Sequence, residues 1–269
     1  MPLWSLMMQD ILDLERYPLD KPGTPEWTAL VARCKADLIK DGMFNLEGLV
    51  RPAALTKVVA EIQPVMDTLS FVHKRSHNIY FRKEIPELAA DHPALVKVDT
   101  INHTVCADQI SQSTIMWIYE WSPFIMFLAA TMGKDALFPM RDALARVNVM
   151  AYRDGETLNW HFDRSEFTTT LLLQAPEQGG DFVYRTDLRT EDNPNYDGVA
   201  RLLRGQDTDV KTLEVSAGTL NVFRGKNTAH KVSTVRGTKE RLIAVFSYFD
   251  RPDVVFTKED QMGFYGRSA

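Results

Sequence analysis

Beyond Met140 the hydrophobic pattern changes period, and that change limits the folds open to this chain. Arg146 to Tyr152, Phe167 to Gln174, Asp181 to Tyr184, Thr212 to Val215, Thr219 to Phe223, His230 to Ser233 and Arg241 to Phe249 are short β-branched or apolar stretches. Turn residues such as Asp154-Gly155 and Gly179-Gly180 separate them, with one short helix expected around Val199 to Leu203. Many short strands punctuated in this way specify a sandwich or a jelly-roll barrel. Phe167 to Gln174 is apolar or β-branched almost throughout, which marks a strand buried on both faces.

The first 140 residues read as mostly helical. Thr24-Pro25-Glu26 supplies an N-cap, a proline at the first helical position and an early acid. Leu30, Val31, Cys34 and Leu38 then recur at helical spacing until Gly42. Phe44, Leu46 and Leu49 form an extended piece, and a second helix opens near Arg51-Pro52 with Leu55, Val58, Val59 and Ile62 as its buried stripe. Pro64 is expected to end or kink it. Phe71 to His103 shows few periodic signals and reads as a polar, aromatic connecting region. Further helices are expected at Thr114 to Glu120 and from Ser122-Pro123 to Gly133. The fold class is therefore α+β with a mainly β core, in one domain over 1–269: helical additions in 1–140, a jelly roll in 141–250 and a tail in 251–269.

The charge balance, 31 Lys+Arg against 36 Asp+Glu, argues against nucleic acid as the main partner. No apolar run approaches the roughly 20 residues of a membrane span. Met1 to Leu14 has no basic flank and carries Asp10 and Asp13, unlike a signal peptide. Cys34 and Cys106 are too few for a disulfide framework or a thiolate zinc site, and they suit core positions in a reducing cytoplasm. The expectation is a cytoplasmic protein with a small-molecule partner, its oligomeric state left open.

Within the strand-rich half, His161 and Asp163 are two apart, so on an extended strand their side chains share a face. A lone histidine is more often structural than a ligand, and His-x-Asp alone is a weak signal. The distal His230, after the turn-like Arg224-Gly225-Lys226-Asn227, strengthens it. Two imidazoles and one carboxylate with open positions are the mark of non-haem Fe(II) oxygenases, although zinc or nickel fits the same donors. Arg241 follows eleven residues after His230 and opens the apolar run Leu242-Ile243-Ala244-Val245-Phe246. A guanidinium there is expensive to bury unpaired, so it either reaches solvent or a structural acid, or grips a carboxylate-bearing cosubstrate.

On these residues, from about Ala145 to Phe249, the chain resembles the Fe(II)/2-oxoglutarate-dependent oxygenase superfamily. It is similar to the bacterial branch containing radical amino-acid halogenases and their hydroxylase relatives. The resemblance implies a double-stranded β-helix of the jelly-roll, cupin-like kind. It implies Fe(II) on His161, Asp163 and His230, with O2 and 2-oxoglutarate as cosubstrates. Arg241 would bind the far carboxylate of 2-oxoglutarate, and Asn148 and Tyr152, on one face of the strand before His161, would contact it too. Halogenases of this kind lack the metal carboxylate and seat chloride in its place. Asp163 fills that place, so the implied reaction is hydroxylation of an unactivated C–H in a small polar metabolite, such as a free amino acid or a derivative, with release of succinate and CO2.

For the substrate, the residues nearest the motif are Trp160, Arg164 and Arg224, with His73 and His77 upstream. Arg164 and Arg224 suit a carboxylate or phosphate, or else pair with acids on the barrel rim. Phe264-Tyr265-Gly266-Arg267 could close over the opening. Two other classes compete with the hydroxylase. One is a cupin-like metal dioxygenase without 2-oxoglutarate, which leaves Arg241 unexplained. The other is a non-catalytic jelly-roll binding module.

Overall fold

In the computed structural model, which describes residues 3–269, five helices lie on the outer face of one large antiparallel sheet. They are α1 (Leu3–Ile11), α2 (Pro25–Asp41), α3 (Pro52–Leu69), α4 (Thr114–Glu120) and α5 (Ser122–Met132). Thr24 caps α2 by accepting from Trp27 N–H, and Gly42 ends it in the left-handed conformation at φ 73°. Among the described residues no single helix is long and apolar enough to cross a membrane.

Seven strands build the large sheet: β1 (Met43–Leu46), β2 (Phe71–His77), β3 (Val98–Cys106), β5 (Val147–Tyr152), β7 (Thr168–Gln174), β10 (Leu220–Phe223) and β12 (Arg241–Phe246); a short β4 (Phe138–Pro139), between β3 and β5 in the chain, lies apart from it. Their order is β1-β10-β7-β12-β5-β3-β2. A second sheet of β6 (Leu158–His161), β8 (Phe182–Arg185), β9 (Lys211–Leu213) and β11 (Ala229–Val232) runs in the order β6-β11-β8-β9. A helix α6 (Tyr196–Leu203) follows β8, and β13 (Tyr248–Phe249) pairs with β4. The tail holds a helix, α7 (Lys258–Tyr265).

Strand alternation divides the large sheet into two unlike faces. Val147, Val149 and Ala151 on β5, Leu171 and Leu173 on β7, and Leu242, Ala244 and Phe246 on β12 pack under the helices, against Val58, Ile62, Phe124, Phe127 and Leu128. Each such side chain contributes roughly 1.5–3 kcal/mol on full burial. The intervening residues, among them Tyr152, Thr170 and Arg241, face a cavity between the two sheets. A core is thus built on one face so that the other can be polar and hollow.

Two expectations are corrected. Helix α3 does not stop at Pro64; it runs on to Leu69 and buries Met66. The segment from Phe71 to His103 is not simply a connecting region, because β2 and the start of β3 form its two ends and pair in register from Phe71↔Thr104 to His77↔Val98. No apolar alternation announces β2, because its inward residues His73, Arg75 and His77 line the cavity instead of an apolar core.

The tail is tied down. Buried Asp142 accepts from the backbone N–H groups of Leu144, Ala145 and Phe256 and from Gln261 Nε2. The Tyr265 hydroxyl donates to Asn148 Oδ1 at 2.8 Å, and Arg267 forms a bidentate pair with Asp108. Phe256, Phe264 and Tyr265 thereby form part of the cavity wall.

Candidate metal centre and its cavity

Strands β6 and β11 pair antiparallel with His161 directly opposite His230, and the two ring centroids are 4.1 Å apart. His161 Nδ1 lies 2.8 Å from the Asn159 carbonyl, and His230 Nδ1 lies 3.0 Å from the Thr228 carbonyl. A carbonyl only accepts, so each Nδ1 carries the ring hydrogen and each Nε2 lone pair points away from it, ready for a metal. Asp163 Oδ1 is 3.4 Å from His161 Nε2, and Oδ2 is 3.5 Å from His230 Nε2. One donor atom from each residue lies within 4.8 Å of the others, a spacing that a single ion can bridge.

Strand alternation does not place the carboxylate. Strand β6 ends at His161, and Asp163 sits in the irregular segment beyond it, just before a bend. Its backbone N–H donates to the Gly225 carbonyl at 3.0 Å, and its Oδ2 accepts from the Thr168 hydroxyl. Burial alone would push the Asp163 carboxyl up, but the facing His230 and His161 rings hold it well below the usual range. Burial and the neighbouring His230 push the His161 imidazole down, which favours the neutral, ligating form. Sequence reasoning missed Thr168 and Gly225. Gly225 lay inside a segment read only as a turn, yet a Cβ there would overlap Thr168 Oγ1 and the Asp163 side chain. Gly225→Ala should therefore lower divalent-metal affinity by about 10- to 100-fold, the usual effect of disturbing a ligand's support. A competitive metal titration checks this, and an unchanged affinity would show that Gly225 does not hold Asp163 in place.

The cavity beside this cluster has a volume of about 330 Å³. Arg241 lines it and is only 3% exposed. Its Nε donates to the Gly180 carbonyl at 2.8 Å, while its Nη1 is buried without a partner. Burial pulls the guanidinium down to about 10, still a cation at neutral pH. The acid nearby, Asp181, already accepts from the Ser233 hydroxyl. Tyr152 lies beside Arg241, with the guanidinium carbon 5.9 Å from its ring, and burial pushes its hydroxyl up to about 12. That hydroxyl has only the soft sulfur of Met150, at 3.9 Å, as a partner. An unpaired buried cation next to an underused hydroxyl is a site shaped for an anion.

The other expected residues divide. Asn148 reaches the cavity, but its amide hydrogens go to the Leu144 and Val147 carbonyls and its oxygen accepts from Tyr265. It has no donor left for a carboxylate and serves to anchor α7. His73, His77 and Arg164 line the cavity. His77 spends both ring nitrogens, on the Asn78 carbonyl and the Thr100 hydroxyl, so it is not a free substrate contact. Arg164 is largely exposed and pairs with Asp260. Trp160 turns away from the cavity and packs under Lys231, 5.2 Å from its ring. Arg224 also lies outside the cavity wall, paired with Asp187.

A family model described as Halogenase D matches residues 27–262, which span the metal cluster, Arg241 and most of α7. The chain belongs to the Halogenase D family. No curated protein matches it in sequence. Solved structures do resemble it. An oxidoreductase of the 2OG-Fe(II) oxygenase family from Burkholderia pseudomallei is 16% identical, over 82% of this chain and 91% of that one, with a TM-score of 0.51. AviO1 from Streptomyces viridochromogenes Tue57 is 14% identical, over 83% and 96%, at 0.55. The non-heme alpha ketoglutarate dependent epimerase SnoN from nogalamycin biosynthesis is 13% identical, over 83% and 82%, at 0.55. At these identities the likeness is one of fold, the double-stranded β-helix of the 2OG-Fe(II) oxygenases.

Proposed function

We propose that this Halogenase D family member is an Fe(II)- and 2-oxoglutarate-dependent dioxygenase that hydroxylates an unactivated C–H of a small metabolite. The observation that carries this reading is the orphaned guanidinium of Arg241, buried in the same cavity as His161, Asp163 and His230. Nε2 of each histidine and one Asp163 oxygen would hold the iron and leave three positions for cosubstrate and O2. The far carboxylate of 2-oxoglutarate would accept hydrogen bonds from Arg241 Nη1 and the Tyr152 hydroxyl. Once bound, the metal and cosubstrate supply the oxidising power, with one oxygen atom of O2 ending in succinate and the other in the product.

The chain's own residues prepare that chemistry. The Asn159 and Thr228 carbonyls fix both imidazole tautomers, and Thr168 with Gly225 fixes the carboxylate. Phe182, Leu172, Ile243 and Val245 give the inner cavity an apolar lining. The support built around Asp163 favours hydroxylation over halogenation, because a held carboxylate leaves chloride no seat on the metal. The test is turnover with Fe(II), 2-oxoglutarate and chloride present, with succinate release screened over a metabolite panel and the product weighed. A product that has gained one oxygen atom and no chlorine supports the reading. A chlorinated product would refute the hydroxylase assignment.

A further inference from the structure

Apart from Asp163, a metal ligand in the proposed function, no carboxylate lines the cavity among the described residues. Cationic and neutral donors line it instead. The inward face of the β2–β3 ribbon presents His73 opposite Asn102 and Arg75 opposite Thr100. Asn102 is buried, and its Oδ1 accepts from the Thr104 hydroxyl at 2.8 Å, which leaves its amide hydrogens to the cavity. Arg75 has no acid partner among the described residues. Its guanidinium carbon sits 4.6 Å from the Phe81 ring centroid. Burial and the charge of Arg164 both pull that guanidinium below its ordinary value, as expected for a cation facing another cation.

Arg75 is held in place from below. Phe81 stacks on His77 with centroids 4.4 Å apart, and it adopts a left-handed backbone at φ 54°, uncommon for a bulky residue. Asn78 clamps that turn, accepting from the Tyr80 and Arg82 N–H groups and donating to the Arg82 carbonyl. The same Phe81 ring lies 5.8 Å from the His161 ring. A group bound at Arg75 is thus brought to the metal side of the cavity. Phe256 and Phe264, stacked 5.6 Å apart, close the space with an apolar wall.

We propose that the substrate is an organic carboxylate or similar oxyanion on an apolar body, lacking a cationic group, and that Arg75, assisted by Asn102, grips its anion. This rests on the proposed oxygenase reading and narrows it. A free amino acid would bring an ammonium that meets no counter-charge in this cavity, whereas its carboxylate analogue or an N-acylated derivative would not.

The test uses the full chain loaded anaerobically with Fe(II) and saturating 2-oxoglutarate, so that Arg241 is already occupied. Calorimetric binding is measured for matched sets on one skeleton: phenylpropionate, phenylpropylamine and phenylalanine, then hexanoate, hexylamine and norleucine. The carboxylates should bind in preference to the amines and zwitterions. Arg75→Gln should weaken them about tenfold to a hundredfold, the scale of a charge-assisted hydrogen bond, and Arg75→Lys should recover part of it. Preference for the amines or zwitterions, binding of none of the carboxylates, or no effect of R75Q overturns the proposal. The visible charge-transfer band of the same sample separates the two readings. Its absence with Arg75-dependent anion binding intact refutes the oxygenase alone. Its presence with no such binding refutes the anion site alone.

Discussion

Replacing Asp163 by glycine should reduce succinate release by at least about 100-fold, because disturbing even the support of a metal ligand costs 10- to 100-fold and this change removes the ligand itself. Two imidazoles would remain, and the Thr168 hydroxyl would lose its acceptor. The fold should survive, since the bond from the Asp163 N–H to the Gly225 carbonyl is a backbone bond that glycine keeps. The measurement pairs Fe(II) affinity with 2-oxoglutarate turnover and a thermal melt. Weak iron binding with an unchanged melt is the expected pattern. Full turnover by D163G would remove Asp163 from the ligand set.

Arg241→Gln is expected to act on the other half of the site, and with an unusual pairing of signs. The guanidinium donates from Nε to Gly180 but carries an orphaned Nη1, so it is a costly group until an anion arrives. The substitution should raise the KM for 2-oxoglutarate by roughly 10- to 100-fold, the value of a charged hydrogen bond at 1.5–3 kcal/mol. It should change the stability of the cosubstrate-free protein by less than about 1 kcal/mol, since the lost Gly180 bond is offset by relief of a buried charge. Wild-type protein at a hundredfold excess of 2-oxoglutarate over Kd should gain about 2.7 kcal/mol, and R241Q at the same concentration should lose at least about half of that gain. A variant that melts far lower without cosubstrate, yet binds it normally, would make Arg241 a structural residue.

The parts of the site that sequence reasoning reached are those where a residue type contradicts its surroundings. Arg241 stands out because a cation opens an otherwise apolar strand, and His161, Asp163 and His230 because their order brackets the strands. What supports them was not legible. Asp163 owes its position to Thr168 and Gly225, whose contacts cross from one loop to another, and nothing in local spacing encodes that. Strand β2 was missed because strands are recognised by an apolar face, and the inward face of β2 lines a polar cavity. Trp160 shows the opposite error. Adjacency to His161 suggested the substrate, yet one step along a strand turns the side chain to the other face. Leu158 nevertheless faces inward with His161, because the pairing of β6 with β11 shifts register between His230 and Val232. Such a bulge is set by the partner strand, beyond the reach of the local sequence.

If one cavity seats iron on His161, Asp163 and His230 while Arg241 holds 2-oxoglutarate, an anaerobic titration will show it. Fe(II) is added first and 2-oxoglutarate second, with the visible spectrum recorded throughout. A metal-to-ligand charge-transfer band should appear, saturate with one equivalent of iron and demand far more 2-oxoglutarate in R241Q. A protein that binds iron but never develops the band at saturating 2-oxoglutarate would contradict that arrangement.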